Sequence, residues 1–325
     1  MALTKDMQDQ GMDNMDANTK IQSASGISKL QNKELAGLLF ALFGGIGWGF
    51  SGTCAQFLFS IYGVDPLWTT VVRLLGASIV LMTLCLARSR KDLCALWRCP
   101  RDVAHLILFA LFGIAFCQIT YLLAIQHSNA GTATVLQYIG PVLIVVLVCF
   151  KGRKLPSVQE IAAVLCVVVG TFLIATHGNP STMALTPEAL LWGLLAAVGV
   201  ALYSLLPVNL ILRYGAVPVV GSGMLVGGVV MCVAIQAWTV PVSLDAAGWL
   251  ALLGGLVLVG TVIGYTFYLQ GVKLVGAPKA SLLSSIETVS ATLFAVIWLG
   301  TSFSWIDIVG FAFIMATVFL LAKRR

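Results

Sequence analysis

The sequence predicts an all-α membrane protein, ten transmembrane helices folded as two inverted five-helix repeats. Composition is the first sign: of 325 residues, 59% are hydrophobic and only 10% charged. A soluble fold cannot hide that much apolar surface, whereas a bilayer needs roughly 20 apolar residues per crossing. The second sign is an internal repeat. Residues 104–175 and 251–322 fall into register without a gap: Gly113 meets Gly260, Tyr121 meets Tyr268, Leu122 meets Leu269, Ala130 meets Ala277 and Ile139 meets Ile286, all 147 residues apart. Upstream, Pro66 and Gly76 meet Pro218 and Gly228 at a spacing of 152, a longer loop in the first half absorbing the difference. Each unit holds about five hydrophobic spans. Five crossings leave the chain on the opposite face, so the second unit is upside down relative to the first. Such repeats let one central site open alternately to either side.

The elements follow in order. Residues 1–33 are polar, rich in Asp, Gln, Asn and Ser, and lack periodicity, so they read as a disordered tail. They lack the ordered features of a cleavable signal. The first repeat occupies 34–176, with spans at 35–60, 67–87, 103–126, 130–150 and 158–176. The second occupies 177–325, with spans at 188–212, 216–240, 246–272, 277–299 and 303–322. Span one contains Gly47-Trp48-Gly49-Phe50-Ser51-Gly52, which matches a dinucleotide-binding fingerprint. That fingerprint has meaning only between a strand and a helix. Inside an apolar span, Gly45 and Gly49 instead make a smooth face for close helix packing.

Orientation follows from the cations, the third sign. Arg88, Arg90, Lys91, Arg98 and Arg101 lie between spans two and three, and Lys151, Arg153 and Lys154 between four and five. Arg213 closes span six, Lys273 and Lys279 bracket the turn between eight and nine, and Lys323, Arg324 and Arg325 end the chain. All fall on the side of the N-terminal tail. The opposite loops, around Asp65, His127, His177, Asp245 and Thr301, carry no Lys or Arg. Both termini are therefore expected in the cytoplasm, in a multi-pass protein of the cytoplasmic membrane. The net charge of +6 serves topology, and no nucleic-acid partner is implied. The eight cysteines are scattered; Cys94, Cys99 and His105 are near one another in a loop but match no common zinc spacing, so no metal is expected. No cofactor is implied either.

The informative residues are polar groups near mid-membrane. Glu287, eight residues beyond Lys279 and twelve short of Leu299, is the only carboxylate deep in any span. It is a candidate for proton coupling or for holding a substrate amine; the alternative is a structural Glu bonded to Ser284 or Ser290. Arg73 is the only cation within a span. It either snorkels to the outer interface or faces Glu287 or a substrate carboxylate. Leu225 and Gly140 occupy the equivalent positions of the other repeat, so both charges break the symmetry. The candidate cavity is completed by Trp48 and Gln56 on span one, by Gln118 and Tyr121 on span three, by their counterparts Tyr265 and Tyr268 on span eight and by Ser284 on span nine. Gln137 and Tyr138 precede Gly140-Pro141, where the helix is expected to loosen; Tyr203 precedes Pro207, with Asn209 beyond. Aromatic faces and amides suit an amphipathic organic solute. Trp97, Trp238, Trp249 and Trp305, near span ends, read as interfacial anchors.

Trp48-Gly49, Pro66 with Arg73, Gly140-Pro141-Val142, Ala277-Pro278 and Ile286-Glu287-Thr288-Val289 together resemble the EamA-type transporters of the drug/metabolite transporter superfamily. The likeness covers residues 35–322. It implies ten helices, two inverted repeats and cytoplasmic ends, and allows facilitated diffusion or exchange as well as proton-coupled export or import of small metabolites. Two departures matter: Thr288 stands where the family often has proline, and Gly300-Thr301 replaces an acidic residue that often closes span nine. The expectation is a secondary carrier of amino acids or amines, with protons as a possible coupling ion. No P-loop is present for ATP-driven transport, and no paired carboxylates, histidine cluster or nucleophile elbow supports a membrane-embedded enzyme. A non-transporting sensor or scaffold is the other alternative, though a scaffold would not require a buried Glu287.

Overall fold

The computed structural model describes residues 3–140, 142–144, 147, 158–177, 179, 184–275, 280 and 283–322, with the side chains of 3–32, 160, 317–318 and 321–322 set aside. Among the described residues all regular structure is helical, without strands. Six helices are long and apolar enough to cross a membrane: Lys33–Tyr62, Pro66–Arg88, Pro100–His127, Pro187–Tyr214, Ala216–Ala234 and Ala246–Val275. Four shorter apolar helices occupy the other expected positions, at Ala130–Ile144, Ile161–Thr176, Ile286–Leu299 and Trp305–Ala316. Helix α1 runs Leu3–Tyr62 and so carries helical backbone back through the stretch expected as a tail; no proline interrupts it.

The remaining elements are α2 (Pro66–Arg88), the short α3 (Arg90–Arg98), α4 (Pro100–Leu108), α5 (Phe116–His127), α6 (Ala130–Gln137), α7 (Val158–Thr176), α8 (Pro187–Leu205), α9 (Val208–Tyr214), α10 (Ala216–Ala234), α11 (Ala246–Trp249), α12 (Gly264–Val275), α13 (Ile286–Leu299) and α14 (Trp305–Ala322). Prolines Pro66, Pro100 and Pro187 open their helices where a missing N–H leaves no hydrogen bond unmade. Asp65, Asn129, Thr186 and Asp245 cap the starts of α2, α6, α8 and α11 through side-chain oxygens.

The two halves share irregularities as well as regular helix. A π-helical segment, Phe109–Ala115, joins α4 to α5, and another, Leu250–Ile263, joins α11 to α12; the first, shifted by 147 to 256–262, falls wholly within the second. The turn after α6 is at Tyr138–Ile139, and the turn before α13 is at Ser285, the position equivalent to Tyr138. The sequence expects the first break at Gly140-Pro141; it lies two residues earlier, and Pro141 is outside the described residues. Tyr62-Gly63 and Tyr214-Gly215, 152 apart, both end a helix on a glycine of positive φ, 61° and 84°.

Packing follows the same exchange. Helix α1 lies on α12, α13 and the second π segment, as α8 lies on α5, α6 and the first. Helix α2 meets α10 and α7 meets α14, each pairing equivalent elements, while α6, which precedes the break of the first half, meets α13, which follows the break of the second. Small residues permit these contacts, as expected where lipid removes the hydrophobic drive between helices. A methyl group on Gly199 would lie 2.7 Å from the Cys117 backbone. The outer surface is apolar: Ile79, Leu212, Leu250 and Ile297 are 66–81% exposed, which demands apolar surroundings.

Candidate functional site

Helix α13 carries Glu287 in its first turn. A carboxylate there faces the positive end of the helix dipole and unsatisfied backbone N–H groups. Across from it, the turn that ends α6 presents Tyr138. Its hydroxyl lies 3.2 Å from Glu287 Oε2 and 3.2 Å from the Ser284 carbonyl oxygen, either of which can accept its proton. The two helix breaks therefore meet at one tyrosine and one carboxylate. Ser284 joins through its backbone, and Ser290 donates to the Glu287 carbonyl rather than to its carboxylate.

Helix α1 closes this junction from the side. A methyl group on Gly49 would lie 2.7 Å from both Ala291 N and Glu287 O, and one on Gly45 would lie 2.6 Å from Ser284 O. The glycine face of span one thus serves packing, and what it packs against is the break that carries Glu287.

Arg73 does not snorkel. It is 5% exposed, and its Nε donates to Thr261 Oγ1 at 3.0 Å. The reason is the second π segment: its wide turn lets Thr261 also donate to Leu256 O, five residues back, and leaves the hydroxyl oxygen toward α2. Nη1 of Arg73 is buried without a hydrogen-bond partner. Arg73 interacts electrostatically with Tyr121, Tyr265, Glu287 and Cys117, but no ion pair joins it to Glu287 among the described residues. A buried guanidinium group with an unmet donor is costly unless something pairs with it.

The aromatic residues gather beside these charges. Trp48 packs on Tyr265 (5.4 Å between ring centroids) and on Tyr268 (5.1 Å), and Tyr203 lies on Phe109 (5.7 Å) and Tyr265 (6.4 Å). Tyr121 is buried and bonded to Thr134 Oγ1 at 2.9 Å. Gln137 reaches Cys117 Sγ at 3.8 Å.

Three expected members stand apart. Gln56 is a strut: Oε1 accepts from Ala130 N at 2.8 Å, at the start of α6, and Nε2 donates to Thr301 Oγ1 at 2.9 Å. Gln118 is half-buried and outside the network of hydrogen bonds described here. Asn209 is exposed. Conversely, Thr261, Cys117 and Thr134 join the site without a sequence signal, because an isolated small residue in an apolar helix is indistinguishable from packing.

Two tyrosine–aspartate contacts lie away from this centre. The Tyr62 hydroxyl donates to Asp245 Oδ1 at 2.5 Å, tying the end of α1 to the cap of α11. The Tyr214 hydroxyl and Arg213 Nη1 donate to Asp102 Oδ2 at 2.6 and 2.7 Å, tying the end of α9 to α4. Outside the apolar layer, the Tyr62 hydroxyl and then the Gly248 amide hold the Asp245 carboxyl below the usual carboxylate range.

The model of the EamA-like transporter family matches residues 35–176 and again residues 188–323. The chain is 35% identical to the "Uncharacterized inner membrane transporter YicL" of Salmonella typhimurium over 299 residues, 89% of this chain and 97% of that protein. An "Uncharacterized transporter" of Archaeoglobus fulgidus is 23% identical over 280 residues, 84% of this chain and 92% of that one. A crystal structure described only as that of a protein superimposes with a TM-score of 0.59 at 20% identity, covering 90% of this chain and 99% of the other; that likeness concerns the fold alone.

Proposed function

The chain belongs to the EamA-like transporter family, and from that premise we infer that it is a secondary carrier exporting small organic metabolites, amino acids or amines, across the cytoplasmic membrane. In this reading the ten apolar helices all cross, the second five-helix half is inverted, and both termini are cytoplasmic. The distribution of Lys and Arg supports that orientation.

The observation that carries the reading is the meeting of two helix breaks at Tyr138 and Glu287. Broken helices at mid-membrane free backbone groups and helix termini for a solute, and an ionisable residue inside the membrane is functional by default. Glu287 receives the amine or a proton, with Tyr138 releasing the carboxylate as it does so. Arg73, with an unmet donor at Nη1, receives a carboxylate. Trp48, Tyr265, Tyr268 and Tyr203 supply the apolar walls. Alternating access then requires that solute or proton bind one state better than the other.

The test is uptake of labelled amino acids and amines into inside-out membrane vesicles, with and without a proton gradient, for wild type and Glu287→Gln. Gradient-driven uptake lost in the variant supports a proton-coupled exporter centred on Glu287. Uptake that ignores both the gradient and the substitution keeps a carrier but removes Glu287 from its mechanism. No uptake of any compound removes the amino-acid and amine reading.

A further inference from the structure

Between α2 and α4 the chain inserts α3, and the equivalent connection of the second half, 235–245, contains no cation. Nine residues suffice to give α3 two distinct faces. Leu93 and Leu96 are buried, and the helix packs on α2, α4, α9 and α10. Arg90, Cys94 and Arg98 recur every fourth residue on the opposite face, with Lys91 and Ala95 beside them, all exposed. The long cations stand around the two small residues and border an open surface recess of about 550 Å³. Asp92, the one acid on the helix, falls outside that stripe.

A second observation fixes the helix on the bundle. The indole N–H of Trp97 donates to Ser222 Oγ at 3.2 Å, and that hydroxyl in turn contacts Met82 Sδ at 3.9 Å. Ser222 is six residues inside the start of α10 at Ala216, and Met82 six residues inside the end of α2 at Arg88. At 1.5 Å per residue both lie about 9 Å within their helices. The indole of Trp97, 42% exposed, therefore reaches past the ends of α2 and α10 into the bundle, as an interfacial tryptophan anchor would. The same bond holds α3 against the ends of α2 and α10, with its basic stripe turned away from the bundle.

From these observations we propose that the recess lined by Arg90, Lys91, Cys94, Ala95 and Arg98 is a binding site for the headgroup of an anionic phospholipid. A phosphodiester placed over Cys94 and Ala95 can accept hydrogen bonds from both guanidinium groups and the ammonium group. Its acyl chains then run down beside the exposed face of Trp97. Topology alone requires cations on this loop, but neither a common face, small residues between them, nor a helix pinned to the bundle through its tryptophan. The site touches none of the residues assigned to the solute, so it stands or falls independently of the carrier reading.

The test is native mass spectrometry of the full-length protein released from nanodiscs containing equal phosphatidylglycerol and phosphatidylcholine. Retained phosphatidylglycerol is expected to exceed phosphatidylcholine, and the preference to fall about five-fold per cation removed in Arg90→Gln, Lys91→Gln and Arg98→Gln. Arg90→Lys with Arg98→Lys keeps the charge and the topology signal and is expected to retain most of the preference. Addition of inorganic phosphate is expected to leave the lipid bound. A wild type without preference, a triple Gln variant that keeps it, or displacement by free phosphate would each overturn the proposal. If the triple variant is misoriented, the single Arg98→Gln variant decides the same question.

Discussion

The hydroxyl of Tyr138 lies 3.2 Å from Oε2 of Glu287, and each residue stands at a break in its helix, one in the first repeat and one in the second. The contact joins the parts of the molecule that depart from regular helix. It also couples the membrane-embedded carboxylate to whatever rearranges α6. In Tyr138→Phe the packing volume is kept and the donor is lost. A hydrogen bond to a charged group is worth about 1.5–3 kcal/mol, so vesicle uptake is expected to fall roughly ten- to hundred-fold. Thermal stability in detergent should fall as well, so uptake is compared at equal amounts of folded protein. Unchanged uptake would show that the contact is structural.

Arg73 separates stability from function. Replacing a buried guanidinium group that lacks a partner at Nη1 removes an unmet charge, so Arg73→Gln is expected to unfold no earlier than wild type. Transport of carboxylate-bearing solutes should drop by about ten-fold or more while that of simple amines persists. Competition uptake with matched amino acids and amines measures the split.

The glycines of α1 give a graded test of packing. A methyl on Gly49 meets backbone atoms at 2.7 Å, whereas on Gly47 its nearest neighbour is 3.4 Å away. Overpacking costs about 1–3 kcal/mol. Gly49→Ala should therefore lower the melting temperature clearly, and Gly47→Ala hardly at all.

Gln56 belongs to the scaffold. In Gln56→Leu the α6 amide at Ala130 and the hydroxyl of Thr301 lose their partner. A loss of about 1–3 kcal/mol in stability is expected, with the substrate KM unchanged. A raised KM at normal stability would return Gln56 to the cavity.

The Tyr62–Asp245 contact gives a pH dependence with a definite sign. Asp245 is held below its ordinary range in the folded state, so its contribution is present above the unfolded value of about 3.9 and is lost as pH falls through the folded value. Tyr62→Phe should accordingly melt below wild type at neutral pH, and the gap should narrow on acidification toward pH 3. A gap independent of pH would place the effect in packing of the tyrosine ring.

Much of the candidate site was legible because polar groups are conspicuous in apolar helices. Glu287, Tyr138, Arg73, Trp48 and the tyrosines Tyr121, Tyr203, Tyr265 and Tyr268 were all identifiable that way. The sign of Gln56 was not: an amide four residues on from Gly52 reads as cavity-lining, and only the approach of the α6 start turns it into a cap. Thr261 was invisible for the opposite reason. A threonine in an apolar run looks like any small residue until a π turn aims it at Arg73. The paired tyrosines Tyr62 and Tyr214 carried a signal that repeat spacing alone could have found, since each precedes a glycine at equivalent positions.

By itself the sequence determined the helical membrane fold, because burial of so many apolar residues has one solvent that tolerates it, and the duplication, because register is a property of the chain. It also singled out Glu287 and Arg73 as the charges within spans, leaving open whether Arg73 reaches the interface. Only the tertiary structure decided which groups meet. Helix breaks, π turns and close glycine crossings are set by contacts between segments over a hundred residues apart. Those contacts bring Tyr138 to Glu287, hold Arg73 on Thr261 with one donor unmet, and pin α3 at the level of its tryptophan. Spacing along a chain fixes the face of a helix; it does not fix what stands opposite.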